Sequence, residues 1–166
     1  MTDEHRRDQK ITTGFAILTV SDSRTEESDK SGQLAHELVT AEGHSIVEYD
    51  LVPNKEDAIK EKVSGYLEND GIRVIVTSGG TGVGRRDVTV RTLVPMFERH
   101  LVGFGEFFRQ ISFEEIGIAG IYSQASAGLI GKTIVYCLPG SRNAVATALT
   151  RIILPGLGHL LWEVDR

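Results

Sequence analysis

A glycine-rich segment from Thr77 to Asp87 restricts the fold of this chain more than any other stretch. It follows the short apolar run 74–76, which is typical of a buried strand, and it leads into a run from Val88 that predicts the start of a helix. A glycine turn in this place lets backbone N–H groups approach a ligand, because no side chain stands in the way. The helix that follows adds unpaired N–H groups and the positive end of its dipole. The segment therefore predicts an α/β unit with an anion site at the end of a strand.

The polar side chains of this segment favour phosphate as the anion. Hydroxyl donors and fixed positive charges are present at Thr77, Ser78, Thr81, Arg85 and Arg86. Asp87 is the exception, because a carboxylate repels phosphate unless a metal lies between them or the carboxylate holds the loop together. We interpret Asp87 as a Mg²⁺ ligand in a phosphate site. The alternative is an ordinary turn with a capping aspartate.

Size and composition exclude several classes of protein. The length of 166 residues fits one domain with a proper core, and 40% hydrophobic and 25% charged residues are typical of a soluble globular protein. The net charge of −5 argues against a nucleic-acid surface. The single cysteine, Cys137, allows no disulfide within the chain, and no apolar run reaches transmembrane length. We therefore expect a cytoplasmic domain without a membrane segment.

Strands and helices alternate along the chain. The first 13 residues lack apolar periodicity, so we predict a mobile tail at 1–13 and one domain at 14–166. Strands are predicted at 15–20, 46–52, 74–76, 118–122 and 133–138. Most of the intervening segments have helical periodicity, and this alternation predicts a single α/β domain with a mostly parallel sheet and helices on both faces.

Three local features complete this prediction. Asn54 is a plausible helix N-cap, Ser123 to Gly128 is expected to be a small-residue loop, and Pro155–Gly156 is expected to interrupt the last helix. The aromatic residues of segment 103–113 fall at helical spacing, which fits either core packing or a subunit contact.

Polar residues that follow the first strand are also candidates for the site. Ser21 and Asp22 come directly after it, where polar residues commonly face the ligand crevice of an open α/β sheet. The later Asp29–Lys30 pair is expected to be solvated surface.

Other candidate sites do not meet the requirements of their chemistry. Gly131–Thr133 has the ending of a P-loop, but the full pattern needs glycine at the position of Ser126 and a helix after the lysine. The histidines have no zinc-ligand spacing, and Cys137 is expected to be inert because it lies within a strand.

Five ordered motifs resemble the MoaB/MogA family of molybdenum-cofactor biosynthesis. They are Thr19–Arg24, Asp29–Gly32, Thr77–Asp87, Ser112–Gly117 and Leu138–Ser141. The Ser-Phe-Glu-Glu-Ile-Gly and Pro-Gly-Ser motifs are closer to MoaB than to MogA. The resemblance implies a Rossmann-like three-layer domain with the molybdopterin-binding fold. It also implies that the chain binds molybdopterin, and that ATP and Mg²⁺ are used to adenylylate the terminal phosphate of the pterin.

The resemblance further implies partners. The adenylylated pterin would pass to a protein that inserts molybdate or tungstate, and the chain would form a homo-trimer or homo-hexamer. The aromatic segment would then lie near a subunit contact.

The resemblance assigns roles to individual positions. Asp87 would bind Mg²⁺ or orient the nucleotide phosphates, Ser126 would help to bind the pterin, and the turn at 139–141 would close the nucleotide side. The full cofactor-binding set, with Ser78 included for its hydroxyl, is Ser21, Asp22, Ser78, Gly79, Gly80, Thr81, Gly82, Ser126, Pro139, Gly140 and Ser141.

Two positions depart from the pattern of catalytic relatives. Asn54 stands where active members carry aspartate, so this catalytic position keeps its hydrogen bonding but lacks a charge for Mg²⁺. Gln124 stands where many relatives carry arginine. An adenylyltransferase is therefore expected, with a non-catalytic molybdopterin-binding protein or an oligomeric scaffold as the alternatives.

Overall fold

The computed structural model describes residues 10–166 and contains, within them, one sheet of six strands. The strands are β1 (Gly14–Val20), β2 (Ser45–Val52), β3 (Val74–Ser78), β4 (Arg99–His100), β5 (Ser126–Ile130) and β6 (Thr133–Leu138). Their order across the sheet is β2-β1-β3-β6-β5-β4. The first four in this order are parallel, and β5 is antiparallel to both β6 and β4.

Helices cover both faces of the sheet. They are α1 (Lys30–Ala41), α2 (Glu56–Leu67), α3 (Thr89–Leu93), α4 (Val102–Ile116), α5 (Arg142–Ala148) and α6 (Leu154–Asp165). Two 3₁₀ segments, Val94–Met96 and Gly117–Tyr122, follow α3 and α4, and a π-helical segment, Leu149–Ile153, joins α5 to α6.

Alternating side chains of the strands build two cores. Val74 and Val76 of β3 pack with α1, α4, α5 and α6, whereas Ile75 packs with α2 and α3 on the opposite face. Every residue of β1, β3 and β6 is buried, as their apolar runs predict for central parallel strands. The predicted Rossmann-like three-layer α/β domain with a mostly parallel sheet is confirmed.

The strand register brings three connections to one edge of the sheet. Ser78 of β3 lies opposite Thr19 of β1 and Leu138 of β6. The chain leaves all three strands at this edge, and β1 connects to β2 on one side while β3 and β6 lie on the other. Such a reversal of strand order is where ligands bind in open α/β sheets.

The prediction of a strand at 118–122 is wrong. This segment is the 3₁₀ helix Gly117–Tyr122, and the strand of this region, β5, begins at Ser126 inside the predicted loop. Gly120 packs so closely on α4 that a Cβ atom there would lie 2.6 Å from the carbonyl carbon of Ser112. This tertiary contact outweighs the strand propensity of the isoleucines in the segment.

The predicted N-cap at Asn54 is also wrong. The cap position is Lys55, whose backbone is extended and whose side chain makes no capping bond, and α2 begins at Glu56. The backbone N–H of Asn54 instead donates to Asp22 Oδ1 at 2.9 Å, which directs Asn54 toward the edge of the sheet. Glu56 and Asp57 supply the favourable negative charge in the first turn of α2.

Pro155 does not interrupt the last helix, contrary to the prediction. The chain is continuously helical from Arg142 to Asp165. The π-helical segment precedes the proline, and such a segment accommodates the ring and the missing N–H of a proline.

This continuous helix is long and apolar enough, by length and composition alone, to cross a membrane, although the sequence analysis expects no such stretch. Its buried residues Leu149, Ile153, Leu157 and Leu161 belong to the core cluster beneath the sheet. One face of this helix therefore packs in the core of the domain.

The predicted tail, residues 1–13, ends directly before β1. Residues 1–9 of this tail lie outside the described residues. The Thr13 N–H donates to His44 Nδ1 at 3.2 Å, and its carbonyl accepts from the Ser45 N–H at 3.1 Å. The division of the chain at residue 14 stays a prediction.

Candidate functional site

A cleft of about 370 Å³ opens at the edge of the sheet where β3 and β6 end. One wall is the glycine-rich segment, the second is the turn after β6, and the third is formed by α4 and the 3₁₀ helix that follows it. Among the predicted site residues, the lining includes Gly80, Thr81, Gly82, Asp87, Pro139, Gly140 and Ser141.

Two glycines give the first wall its shape. Gly79 and Gly80 have φ angles of +103° and +72°. A Cβ atom on Gly79 would lie 2.2 Å from the carbonyl oxygen of Val20, and one on Gly80 would lie 2.3 Å from Thr89 Oγ1. Both the backbone conformation and the lack of space therefore require glycine at these positions.

In the glycine turn, backbone carbonyl groups are paired with Thr89, whereas three consecutive N–H groups have no acceptor within residues 10–166. Thr89 donates its hydroxyl to the Gly79 carbonyl at 2.8 Å and its N–H to the Gly80 carbonyl at 3.1 Å. The N–H groups of Gly80, Thr81 and Gly82 donate to no other group within residues 10–166. Consecutive unpaired N–H groups beside a cleft can bind an anion, as the sequence predicts.

Two features that were expected to add positive potential contribute less than predicted. Arg85 and Arg86 are exposed at the tip of the segment and do not line the cleft. The helix that follows, α3, has only 5 residues, so its dipole is small. The affinity of this wall for an anion therefore depends on backbone donors.

Asp87 lines the cleft and also holds its own loop. Its Oδ2 accepts from the Gly84 N–H at 3.0 Å, and its N–H donates to the Gly84 carbonyl at 3.1 Å. Its Oδ1 makes no hydrogen bond with the part of the chain that is described, so this oxygen is available to a ligand. No group of three or more acidic, histidine or cysteine side chains converges within residues 10–166. The donor set fits Mg²⁺, which commonly binds through one carboxylate together with phosphate oxygens and water.

Asn54 and Ser78 present buried oxygen atoms without partners among residues 10–166. Asn54 Oδ1 points toward the glycine turn, since it would lie 3.0 Å from a Cβ atom on Gly80. Ser78 Oγ lies in β3, directly before this turn. A buried polar atom without a partner costs free energy, so both atoms are suited to a ligand or an ordered water.

Asp22 contacts Asn54, whereas the Ser21 side chain bonds to the residues that follow it. The Ser21 hydroxyl accepts from the N–H groups of Ser23 at 3.3 Å and Arg24 at 3.1 Å. None of the three predicted residues Ser21, Asp22 and Asn54 lines the cleft itself. They lie beside it, at the neighbouring end of β1.

Ser126 also lies outside the lining. It is the first residue of β5, and its hydroxyl donates to the Gln124 carbonyl at 2.8 Å. The backbone N–H of Gln124 in turn donates to the Thr81 carbonyl at 2.8 Å, so this segment holds the glycine turn in place through the backbone.

The turn after β6 packs directly on the glycine turn. A Cβ atom on Gly140 would lie 3.3 Å from Gly79 Cα. Ser141 is the N-cap of α5, and its Oγ accepts from the Ala144 N–H at 3.1 Å. The two turns therefore form one continuous backbone surface at the base of the cleft.

Asp29 is fully buried, so the prediction that the Asp29–Lys30 pair is solvated surface is wrong for this aspartate. Its Oδ2 accepts from the Thr19 hydroxyl and the Tyr49 hydroxyl, both at 2.6 Å, and its Oδ1 accepts from the Gly32 N–H at 3.0 Å. Burial, and then the bond to Asp29, raise the pKa of Tyr49 well above its usual value. An aspartate three residues before a glycine at the start of a helix was the available sign of an N-cap.

Cys137 is inert, as predicted. It is fully buried in β6, and burial raises the pKa of its thiol to about 12. The reactive thiolate is therefore not formed in the native protein near neutral pH.

Exposed apolar side chains continue from the rim of the cleft over α4 and the following 3₁₀ helix. They are Phe107, Phe113, Ile116, Ile118, Ile121 and Tyr122, which are between 44% and 59% exposed. By contrast, Phe104, Phe108 and Ile111 are buried in α4. The aromatic helix thus packs one face in the core and leaves another face uncovered, which we name the α4 apolar surface.

Comparisons with known proteins find relatives in molybdenum-cofactor biosynthesis. A family profile described as "Probable molybdopterin binding domain" matches residues 16–159. The Molybdenum cofactor biosynthesis protein B of Bacillus cereus is 41% identical over 164 residues, which cover 98% of this chain and 97% of that protein.

Solved structures show the same pattern. A crystal structure of a Molybdenum cofactor biosynthesis protein B superposes with a TM-score of 0.92 at 41% identity, over 96% of this chain and 99% of that chain. A MogA structure superposes with a TM-score of 0.80 at 23% identity, over 91% of this chain and 99% of that chain, and so shares the fold.

Proposed function

This chain belongs to the family of molybdenum-cofactor biosynthesis proteins with a probable molybdopterin-binding domain, and from that premise we propose that it adenylylates the terminal phosphate of molybdopterin with Mg-ATP. One observation carries the proposal. The N–H groups of Gly80, Thr81 and Gly82, which have no acceptor within residues 10–166, lie at a cleft that the Asp87 carboxylate also lines. Donors for a phosphate and an oxygen ligand for its counter-cation are therefore side by side.

The reaction needs alignment more than it needs a base. An oxygen of the pterin phosphate is already a nucleophile; it forms a bond to the α-phosphorus of ATP while the bond to the β-phosphate breaks and pyrophosphate leaves. The N–H groups of the glycine turn would hold the pterin phosphate, and the turn at Gly140 and Ser141 would hold the nucleotide opposite it. Fixed donors in a preformed cleft lower the barrier because they are already oriented.

Mg²⁺ fits this arrangement at Asp87. Asp87 Oδ1, which has no hydrogen-bond partner in the described part of the chain, would hold the ion, and a bound Mg²⁺ would neutralise phosphate charge. Asn54 would add a neutral oxygen beside the glycine turn, where its Oδ1 is buried without a partner among residues 10–166. In this proposal Asp87 positions charge and does not act as a general base.

A binding-only protein is the second candidate, and Asn54 is the observation that favours it. An amide at this position cannot attract Mg²⁺ as a carboxylate does. Gln124 likewise adds no positive charge near the glycine turn. Such a protein would hold molybdopterin without turning it over. An oligomeric scaffold is less favoured, because a scaffold does not need unpaired donors at a cleft.

We also propose the setting in which the protein works. The α4 apolar surface would be covered in a homo-trimer or homo-hexamer, since exposed apolar surface of this kind marks protein contacts. The product would pass to the metal-insertion protein of the pathway in the cytoplasm. No contact with nucleic acid is expected from a net charge of −5.

The decisive experiment measures pyrophosphate release with ATP, Mg²⁺ and fresh molybdopterin, with a control that lacks the pterin. We expect pterin-dependent release together with an adenylylated product. Absence of release, when pterin binding is confirmed in parallel, would instead establish the binding-only protein.

Asn54→Asp separates the two candidates further. If the native protein is a weakened enzyme or a binder, the added carboxylate creates or greatly raises Mg²⁺-dependent release. High native activity that the substitution leaves unchanged would rule out the binding-only function.

A further inference from the structure

The carbonyl oxygen of Gly140 is held by two side chains from a distant part of the chain. Arg24 Nη2 donates to it at 2.9 Å and the Ser31 hydroxyl at 2.7 Å. Arg24 lies in the connection between β1 and α1 and Ser31 in the first turn of α1, whereas Gly140 follows β6. We name this pair of side chains the Gly140 clamp.

A buried carboxylate fixes the Gly140 clamp. Arg24 Nη1 lies 3.7 Å from Oδ1 of Asp29, whose side chain is fully buried and is itself held by Thr19 and Tyr49. Arg24 Nη1 also lies 3.5 Å from Ser31 Oγ. The planar guanidinium is thus held on one side by a fixed anion and presents its other nitrogen to the carbonyl.

Holding this carbonyl sets the direction of the next N–H group. The described chain has no cis peptide bond, and in a trans peptide the C=O and the N–H point in opposite directions. With the Gly140 oxygen directed at the clamp, the Ser141 N–H points away from it. Ser141 lines the cleft, and its N–H donates to no group within residues 10–166. The clamp therefore leaves a fixed donor for a ligand on the nucleotide side.

We propose that Arg24 and Ser31 are positioning residues for the nucleotide: they orient the Gly140–Ser141 peptide so that its N–H meets the phosphates of ATP. This inference rests on the proposed adenylyltransferase function. Gly140 also packs on Gly79, so the clamp helps to fix the glycine turn that would hold the pterin phosphate. Neither Arg24 nor Ser31 lines the cleft, so both act through Gly140.

Two substitutions test the clamp while keeping the fold. Arg24→Lys retains a positive charge near Asp29 but loses the planar fork that reaches two partners, and Ser31→Ala removes the second donor. Arg73→Ala is the matched control, because Arg73 also donates to a backbone carbonyl, that of Lys132 at 3.1 Å, and pairs with Asp165, at the other end of the sheet.

The first measurement is amide hydrogen exchange of the free protein. We expect faster exchange in the segment 139–144 of Arg24→Lys and Ser31→Ala, and wild-type exchange there in Arg73→Ala. Unchanged exchange in both clamp variants would overturn the inference. This readout needs no ligand, so it decides the clamp even if the protein proves to be no enzyme.

The second measurement is steady-state kinetics of pyrophosphate release. Loss of one oriented donor predicts a KM for ATP that rises on the order of tenfold, with kcat and the KM for molybdopterin near their wild-type values. An equal rise in both KM values, or none in either, contradicts a role on the nucleotide side. A wild-type protein without activity would refute the proposed function and leave the exchange result to decide the clamp.

Discussion

Two connections leave the same edge of the sheet and keep their shapes by opposite means. After β1, the side chain of Asp29 is buried and accepts three hydrogen bonds, from Thr19, Tyr49 and Gly32. After β3, the turn from Gly79 is held by backbone carbonyls and by Thr89, and its next N–H groups have no partner among the described residues. The first connection is closed by the bonds of Asp29 to the neighbouring elements β1, β2 and α1, and the second is open to a ligand.

The difference shows how this fold combines support with binding. A donor that binds a ligand must be left unpaired, so the open connection cannot stabilise itself through these groups. The closed connection supplies the rigidity, and it reaches the site through Arg24 and Gly140. Precise sites generally need such a supporting layer of fixed side chains. The comparison predicts that loss of the Asp29 side chain in the closed connection acts mainly on stability, whereas loss of the Asp87 side chain in the open connection acts mainly on activity.

Asp29→Ala should have the largest effect on stability. The substitution leaves the Thr19 and Tyr49 hydroxyls without their acceptor and removes the anion beside Arg24. A hydrogen bond to a charged group contributes about 1.5–3 kcal/mol, so the loss of three such bonds should cost more than about 3 kcal/mol in urea unfolding. The control is Asp165→Ala, since Asp165 pairs with Arg73 at the surface and should contribute less than about 1 kcal/mol. Equal losses in the two variants would contradict the comparison.

Gly79→Ala should destabilise the open connection through its backbone. The φ angle of +103° is unfavourable for alanine, and the new Cβ atom would meet the Val20 carbonyl oxygen at 2.2 Å. Strain of this kind costs of order 1–3 kcal/mol, to which the clash adds. In the control Gly131→Ala, a φ of +58° lies in the left-handed region that alanine adopts at a cost of about 1–2 kcal/mol, and no atom lies within 4 Å of the new Cβ, so the loss should be smaller. A Gly79→Ala variant no less stable than Gly131→Ala would show that neither the backbone conformation of Gly79 nor the contact with Val20 requires glycine.

Tyr49→Phe should have a smaller effect, because it removes only one partner of Asp29. The hydroxyl donates to Asp29 Oδ2 at 2.6 Å, and the ring remains in place. A bond to a charged group contributes about 1.5–3 kcal/mol, and the partial exposure of Tyr49 favours the lower end of this range. Urea unfolding of Tyr49→Phe, Asp29→Ala and the double variant should show that the losses are not additive. Additive losses would mean that the two residues are not coupled.

The elements that sequence alone predicts are those set by local pattern. The buried strands β1, β3 and β6 are continuous apolar runs, and the glycine turn follows from the residues of one segment. Such elements need no knowledge of distant contacts. The position of the cleft then follows from the parallel order of these strands.

What could not be predicted depends on tertiary contacts between different elements. Asp29 is buried because Thr19 and Tyr49 donate to it, and the segment after α4 is a 3₁₀ helix because Gly120 packs on Ser112. Asn54 does not cap α2, since its backbone is bound to Asp22. Neither composition nor periodicity contains these pairings. The same holds for the Gly140 clamp, which joins residues more than a hundred positions apart in the chain.

Asp87→Ala should change stability least and activity most. Its hydrogen bond with Gly84 lies in an exposed loop, so its loss should cost roughly 0.5–1.5 kcal/mol. We expect this variant to release no pyrophosphate while it still binds molybdopterin. Asp70→Ala, at an exposed aspartate far from the cleft, is the control and should be fully active.

Asp87→Asn then separates the two tasks of this carboxylate. An asparagine oxygen can still accept from the Gly84 N–H at the position of Oδ2, so the loop should keep its conformation. The amide lacks the negative charge that favours Mg²⁺, so turnover should stay lost and should respond weakly to added Mg²⁺. Recovery of wild-type turnover in Asp87→Asn would assign Asp87 to the loop alone. In that case only the backbone N–H groups of the open connection would bind a ligand, and other groups would have to hold the cation.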